Sequence, residues 1–411
     1  MKILIISTLY PPNVIGGAEK AAAQLAEALA RRGQLVVVAT LSPEPGESVD
    51  ERNGVRVYRL PMDNFYWPFG RKEKPNTLRR LAWHIREIWN PAATRRISKI
   101  LDAEMPDVVN THNVAGFSLT VWREVKRRKL RLVHTLHDYY LMCPRCTLFD
   151  GARNCEERCL SCRILTINRR QLSRLPDSVV SVSQHALDEH IRRRYLEGRH
   201  ATVIYNIQGA SRSFPSKPRQ DGQLPSDLIF GFIGRVEEEK GIETLLAASR
   251  QLHSSNWRLK IAGKGLDEYV KSLANRFPDT RIEWLGFTDA EKFYASVDVV
   301  ILPSLWAEPL PYVCVESLHA GRSLICALSG GIPEIAQLSD RVEFFPAGNA
   351  SALAEKMNLA LASPQEWRER RVPDAARLAA FREEYVVQQY LREYALQEAT
   401  DPNRLGCGST A

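Results

Sequence analysis

No stretch of this 411-residue chain approaches the roughly 20 consecutive apolar residues that cross a bilayer, so no membrane-spanning helix is expected. The opening Met1-Lys2-Ile3-Leu4-Ile5-Ile6 starts like a signal peptide. Its apolar run is too short, and Pro11-Pro12 ends it before any small-residue cleavage site. It reads as a buried first strand, which places the protein in the cytoplasm. Low-complexity tracts and short-period repeats are missing, so solenoids and fibrous classes drop out. No helix-turn-helix, zinc-finger or single-strand-stacking motif is present, which argues against nucleic acid as a partner.

What is there is ordinary in amount and uneven in placement. Hydrophobic residues make up 44% and charged residues 25%, enough for two domains with full cores. Residues 1–200 carry 33 Lys and Arg against 21 Asp and Glu, a balance of +12; the remainder carries 23 against 27, a balance of −4. A basic half suits an anionic membrane surface or an anionic acceptor, and equally a solvated Arg-rich face.

Short apolar strands alternate with amphipathic helices through the first half. Strands are expected at Ile3–Ser7, Leu35–Ala39, Val55–Arg59, Val108–Thr111, Leu132–Thr135 and Val179–Val182, with a helix over Ala18–Arg32 that ends at Gly33. Continuous apolar strands in a β-α-β alternation imply a parallel sheet covered on both faces. Residues 61–77 read as a surface loop and 211–227 as a linker. The alternation then restarts, with strands at Ile229–Ile233, Arg258–Ala262, Ile282–Leu285, Val299–Pro303 and Ser323–Ala327, and helices at Ile242–Leu252 and Val313–Ala320. A last helix is expected at about 378–397, followed by a disordered tail over 398–411.

The segment Glu308-Pro309-Leu310-Pro311-Tyr312-Val313-Cys314-Val315-Glu316 sets two carboxylates either side of seven residues. Glu308 belongs to the loop at a strand's C-terminal end, and Glu316 lies about one turn into a helix beginning near Pro311. The first N–H groups of that helix, on Tyr312 and Val313, favour an anion. Carboxylates take hydroxyls and a helix N-terminus takes phosphate, and a nucleotide sugar offers both. A helix whose first-turn carboxylate merely complements its dipole would show the same pattern.

This segment resembles the E-x7-E motif of the family 4 retaining glycosyltransferases. Gly234-Arg235-Val236-Glu237-Glu238-Glu239-Lys240-Gly241 is similar to the family's G-R-x4-K-G segment, where Arg and Lys bind a diphosphate. Pro11-Pro12 and Gly16-Gly17-Ala18-Glu19 resemble its first loop, near the phosphates and sugar. Ile261-Ala262-Gly263-Lys264-Gly265 and Trp284-Leu285-Gly286-Phe287 resemble the segments that enclose the base. Gly330-Gly331-Ile332-Pro333-Glu334 resembles the G-G-x-P-E turn. Pro311 departs from the pattern, standing where many members have glycine, and Asn206 is followed by Ile207-Gln208-Gly209.

The resemblance implies the α/β GT-B fold: two Rossmann-like, doubly wound parallel-sheet domains facing across a cleft. Residues 1–205 would bind the acceptor, completed by the terminal helix, and 206–377 the nucleotide sugar. It implies transfer from a nucleoside-diphosphate sugar to a hydroxyl of a glycan or lipid-linked glycan, as in surface polysaccharide assembly. Catalytic roles fall on Glu308, Arg235, Lys240 and His112, the last at the sugar; donor binding falls on Glu316, Gly16, Gly17, Tyr312, Val313, Gly263 and Leu285. No Asp-x-Asp pair is present, so no cofactor or metal is expected in catalysis. A non-hydrolysing epimerase, a phosphorylase or a silent binding subunit would share the fold. His137-Asp138 and Ser183, at two further strand ends, are placed in the same crevice to orient an acceptor.

Five of eight cysteines crowd together as Cys143, Cys146, Cys155, Cys159 and Cys162. Two C-x2-C pairs are spaced like the knuckles of a structural zinc site, any four of the five serving as ligands; unligated thiols are the equal alternative and an Fe–S cluster a distant third. The segment follows His137-Asp138 as a flap over the acceptor side. Over Leu78–Trp89, Arg79, Arg80 and Arg86 mix with Leu81, Trp83, Ile85, Ile88 and Trp89 without one clean apolar stripe. Attachment at the inner face of the cell membrane is therefore expected to be peripheral and electrostatic.

Overall fold

In a computed structural model the described residues are 1–69, 75–208 and 227–396. The linker read over 211–227 lies outside them except for Asp227, as do residues 70–74 of the loop and the tail over 398–411. The first sheet holds β1 (Lys2–Ser7), β2 (Leu35–Ser42), β3 (Ser48–Arg52), β4 (Val55–Pro61), β5 (Val108–Thr111), β6 (Arg131–Leu136), β7 (Ser178–Ser181) and β8 (His200–Val203). Their order is β3-β4-β2-β1-β5-β6-β7-β8, parallel throughout except at β3. The second sheet holds β9 (Leu228–Ile233), β10 (Trp257–Ala262), β11 (Ile282–Gly286), β12 (Val299–Leu302), β13 (Ser323–Ala327) and β14 (Val342–Phe345), all parallel in the order β11-β10-β9-β12-β13-β14.

The unbroken apolar strands follow from helices on both faces. Leu4 and Ile6 join one core cluster while Ile3 and Ile5 join another on the opposite face. Phe230 and Ile229 divide the second sheet in the same way. Three strands do not stand out in the sequence. β3 is exposed along its whole length and pairs antiparallel with β4 through Asn53-Gly54, both at positive φ. That two-residue turn is the one short-range signal for it. β8 and β14 sit at the sheet edges.

Two helical expectations need correction. The C-terminal helix is not continuous over 378–397: a 3-10 turn, Ala379–Phe381, is followed by extended Arg382 (φ −70°, ψ 143°), and the helix proper is Glu383–Ala395. It packs Val386, Val387, Tyr390 and Tyr394 into the core beneath β1, and the Tyr394 hydroxyl accepts from Asn110 Nδ2 at 2.8 Å. The helix Thr77–Ile88 does carry a clean stripe. Leu78, Leu81, Ile85 and, at its end, Trp89 recur at i, i+3, i+7 and i+11, and all four are exposed. Trp83 obscures the pattern because it turns the other way, into the core.

Candidate active site

Strand order reverses once in each sheet, between β1 and β5 and between β9 and β12. At such a point the neighbouring loops leave towards opposite faces and open a crevice at the strands' C-terminal ends. In the second sheet the opening is wide. β12 meets β9 only at Val299–Phe230 and Val300–Gly231, whereas β10 follows β9 from Trp257 to Ala262.

The loops that flank this opening carry the predicted charged residues. Lys240 Nζ donates to Glu308 Oε1 at 2.9 Å, with both side chains largely buried, and the Ser304 hydroxyl donates to the same oxygen. Lys240 also lies 5.2 Å from the Trp306 ring. Its loop ends in Gly241, at φ +71°, where a Cβ would fall 1.8 Å from the Pro303 carbonyl oxygen. Only glycine lets that loop lie against the end of β12. Arg235 is engaged by Glu237 (2.9 Å) and Glu239 (2.9 Å) on its own loop. Burial raises the Glu239 carboxyl above its usual range despite the Arg235 charge.

Glu308 is seated by Gly330-Gly331. Gly331 N donates to the Glu308 carbonyl at 2.7 Å, and a Cβ on Gly330 would meet Glu308 N at 2.3 Å. The following helix is Tyr312–His319, with Pro311 outside it as an extended cap rather than its first residue. Tyr312 and Val313 are thus its first two residues, and Glu316 accepts from the Tyr294 hydroxyl at 3.0 Å. Gly263 packs backbone to backbone on Gly234 and donates its N–H to the Gly286 carbonyl at 2.7 Å, joining the loops after β9 and β10 to the end of β11, where Leu285 lies.

The first sheet's switch point lies opposite. Gly16 caps the helix Gly17–Arg31, and Glu19 reaches back to accept from Gly16 N at 2.8 Å. A Cβ on Gly17 would meet the Tyr312 ring at 2.6 Å, so the two halves touch at this glycine. After β5, His112 is buried; its Nδ1 lies 2.7 Å from His137 Nε2, and one imidazole must donate to the other. His112 Nε2 is buried without a protein partner. Burial drives His112 well below the ordinary histidine range and His137 down to about 4, so both rings are neutral at pH 7. Asp138 is pushed up to about 6 by burial, although Tyr140 N (2.7 Å) and Asn113 Nδ2 (3.0 Å) donate to it. Ser183 serves a different end: its hydroxyl caps the helix Gln184–Arg192 by accepting from Ala186 N at 3.1 Å.

The structure gives the zinc reading of the cysteine segment no support. Among the described residues no group of three or more His, Cys, Asp or Glu is placed to hold a metal ion. Cys143 accepts from the Cys162 thiol, which lowers Cys143 and raises Cys162, while desolvation pushes the half-buried Cys146 up. Arginines hold the flap through its carbonyls. Arg158 donates to the Met142 and Cys162 carbonyls, Arg169 to Tyr140 O, and Arg193 to the carbonyls of Cys155 and Glu156. The flap also crosses to the second half, where Asn154 donates to Leu305 O and accepts from Ala307 N, both at 2.8 Å.

Sequence reasoning missed several residues. Ser304, Tyr294 and Asn154 reach the site through tertiary placement and carry no local signal. Glu334 had one, the G-G-x-P-E turn, and its task is now visible: it accepts from Gln184 N (2.9 and 3.0 Å) and Tyr205 Oη (2.9 Å). It thereby closes the N-terminus of a helix in the other half.

Two doubly wound sheets facing across a crevice, with cations and carboxylates on one side, define the GT-B class of glycosyltransferase. Residues 16–206 match the family described as glycosyl transferase 4-like domain, and residues 214–377 match glycosyl transferases group 1. An uncharacterized 42.6 kDa protein in the cps region of Klebsiella pneumoniae is 30% identical over 344 residues, 84% of this chain and 90% of that protein. Sucrose-phosphate synthase from Thermosynechococcus elongatus has the same fold, with a TM-score of 0.76, 20% identity and coverage of 96% of this chain and 98% of that one. HepE from Anabaena, solved with UDP and glucose, gives a TM-score of 0.67 and 21% identity over 97% of this chain and all of that one. The chain belongs to the group 1, family 4 glycosyltransferases, enzymes of the EC 2.4 class.

Proposed function

We propose that this glycosyltransferase is retaining, and that it moves a sugar from a nucleoside-diphosphate sugar to a hydroxyl of a glycan or lipid-linked glycan. The observation that carries the reading is the Lys240–Glu308 pair at the second switch point, facing Gly17 and the start of the helix Tyr312–His319. In it, Lys240 and Arg235 hold the diphosphate, and the N–H groups of Tyr312 and Val313 add partial positive charge. Charge developing on the leaving oxygen meets cations already in place. Binding exchanges carboxylate for phosphate on both cations, so Glu308 is released towards the sugar hydroxyls. Glu316 takes the ribose hydroxyls, beside the loops of Gly263 and Leu285.

Across the cleft, His112 Nε2 is a buried nitrogen in want of a partner, which a sugar hydroxyl would supply. No enzyme nucleophile is assigned. The acceptor oxygen attacks the anomeric carbon on the face the diphosphate leaves, its proton passes to the departing phosphate oxygen, and the configuration is kept. HepE, of the same fold, was solved with UDP and glucose, which supports a nucleotide-sugar donor. The relative in a cps region and the +12 balance of residues 1–200 support a role in cell-surface polysaccharide assembly on the inner face of the membrane.

The test is a panel of UDP-, GDP- and ADP-sugars with a lipid-linked glycan fraction, following nucleoside diphosphate release and the product anomer by NMR. Release with one donor and a retained anomeric configuration is the expected result. An inverted product would overturn retention, and no release with any donor would overturn the substrate class.

A further inference from the structure

The exposed stripe on Thr77–Ile88 does not stand alone. The short helix Leu160–Leu165 packs against it, and Asn168 Nδ2 fastens the pair by donating to Ile88 O at 2.9 Å. Leu160 and Ile164 on this second element and Ile167 in the turn after it are each more than half exposed. Seven large apolar side chains on two adjoining elements exceed the scattered exposure of an ordinary surface.

The charge exposed on the first helix has one sign, while on the second element Arg163 is paired with Glu157. Arg79 and Arg80 are exposed and Arg86 half-buried on Thr77–Ile88, and the only carboxylate of that helix, Glu87, is turned inward beneath Tyr140 and Gly116. An apolar stripe edged by arginine, with tryptophan at its end, is the pattern that lies in a lipid headgroup layer. Beside it opens a cavity of about 760 Å³, lined by Arg80, Leu81 and Leu165 on this side and by Asn154 on the other. Asn154 is the residue that bonds Leu305 and Ala307, next to Glu308. The cavity therefore runs from the apolar face towards the loop of Glu308.

We propose that the helices Thr77–Ile88 and Leu160–Leu165 form a docking face for an anionic lipid surface, held by inserted apolar side chains as well as by charge. This deepens the membrane reading above and rests on it for its purpose, since the face would present the cavity to an acceptor whose lipid tail stays in the bilayer. It also replaces the purely electrostatic attachment expected from the sequence.

Co-sedimentation of the full chain with phosphatidylcholine vesicles containing phosphatidylglycerol tests the proposal. Wild type should bind, and keep a substantial part of that binding at salt concentrations that screen exposed charge. A double variant, Leu81→Ser with Ile85→Ser, should bind at least about tenfold more weakly. Leu359→Ser, at an exposed position of the second half, should bind like wild type. Nucleotide affinity, read separately by titration, should be the same in all three, and it reports on the donor site whatever the vesicles show. Three results would overturn the proposal: wild type that ignores the vesicles, a double variant that binds as well as wild type, or a wild-type dimer that the double variant abolishes. The last would assign the face to a second copy of the chain.

Discussion

On the edge of the second sheet, Lys240 and Arg235 are held against carboxylates, and Glu316 takes a tyrosine hydroxyl. On the facing edge of the first sheet, His112, His137 and Asp138 are buried where their charged forms are disfavoured. One wall stores charge by pairing it; the other suppresses charge and keeps polarity. The difference suits a reaction in which a diphosphate departs on one side and neutral hydroxyls are oriented on the other. Paired charges can be exchanged for those of a ligand, while the neutral imidazoles of His112 and His137 add no competing cation on the other side.

Breaking the charged wall should cost most. Lys240→Ala is expected to lower turnover a hundred- to thousand-fold, a loss of about 3–4 kcal/mol of transition-state stabilisation, with circular dichroism unchanged. Turnover within threefold of wild type would remove Lys240 from the role given to it.

The neutral wall should show itself in pH dependence. A histidine lowered to about 4, as His137 is, supports the fold above its unfolded value near 6.5 and costs stability as pH falls through that window. His134, lowered to about 3 by burial, acts in the same direction. Asp138 works the other way. Raised to about 6, it contributes stability that is full below its unfolded value near 3.8 and lost as pH rises through 6. Asp138→Asn should therefore stabilise the protein at pH 7, by up to about 3 kcal/mol, and steepen the net acid loss between pH 6 and 4. Denaturant unfolding at a series of pH values measures both. A variant less stable than wild type at pH 7 would mean that the bonds from Asn113 and Tyr140 outweigh burial.

Backbone contacts within the charged wall can be tested without touching a charge. Gly330→Ala puts a methyl against Glu308 at positive φ and should cost about 1–3 kcal/mol together with much of the turnover. Gly33→Ala, also at positive φ but with nothing near its Cβ, should cost only about 1–2 kcal/mol and leave turnover alone. Equal turnover in the two variants would mean that the Gly330 contact does not position Glu308. The smallest effect is expected at Glu316. Glu316→Gln should weaken nucleotide binding about tenfold, the size of one charged hydrogen bond, while turnover at saturation changes less. An unchanged affinity by calorimetry would show that Glu316 does not hold the nucleotide.

The charged wall was far more legible in the sequence than the neutral one. Glu308, Glu316, Arg235 and Lys240 stand in local patterns whose spacing survives folding, because strand, loop and helix follow one another within a few residues. The pairing of His112 with His137, 25 positions apart, depends on β5 and β6 being neighbours, and no periodicity encodes it. The cysteine segment was legible only in part, for a related reason. C-x2-C shows that two thiols can meet, but not that Cys143 meets Cys162 across the flap while Arg158 and Arg193 hold its carbonyls. The apolar stripe at Leu78–Trp89 was hidden by a single residue, Trp83, facing the core.

The helix Glu383–Ala395 sits on side chains made 255 and 284 residues before its own. Its seat is set by Asn110 and Thr135, whose side chains meet Tyr394 and Tyr390. During synthesis on the ribosome the whole second sheet emerges before that helix does. The first half must therefore leave the tunnel with one face of its core uncovered, and is sealed only when the final turns of the chain arrive. A chain cut after residue 370 would hold a finished second sheet beside an unfinished first one, and the exposed seat is where a chaperone would be needed.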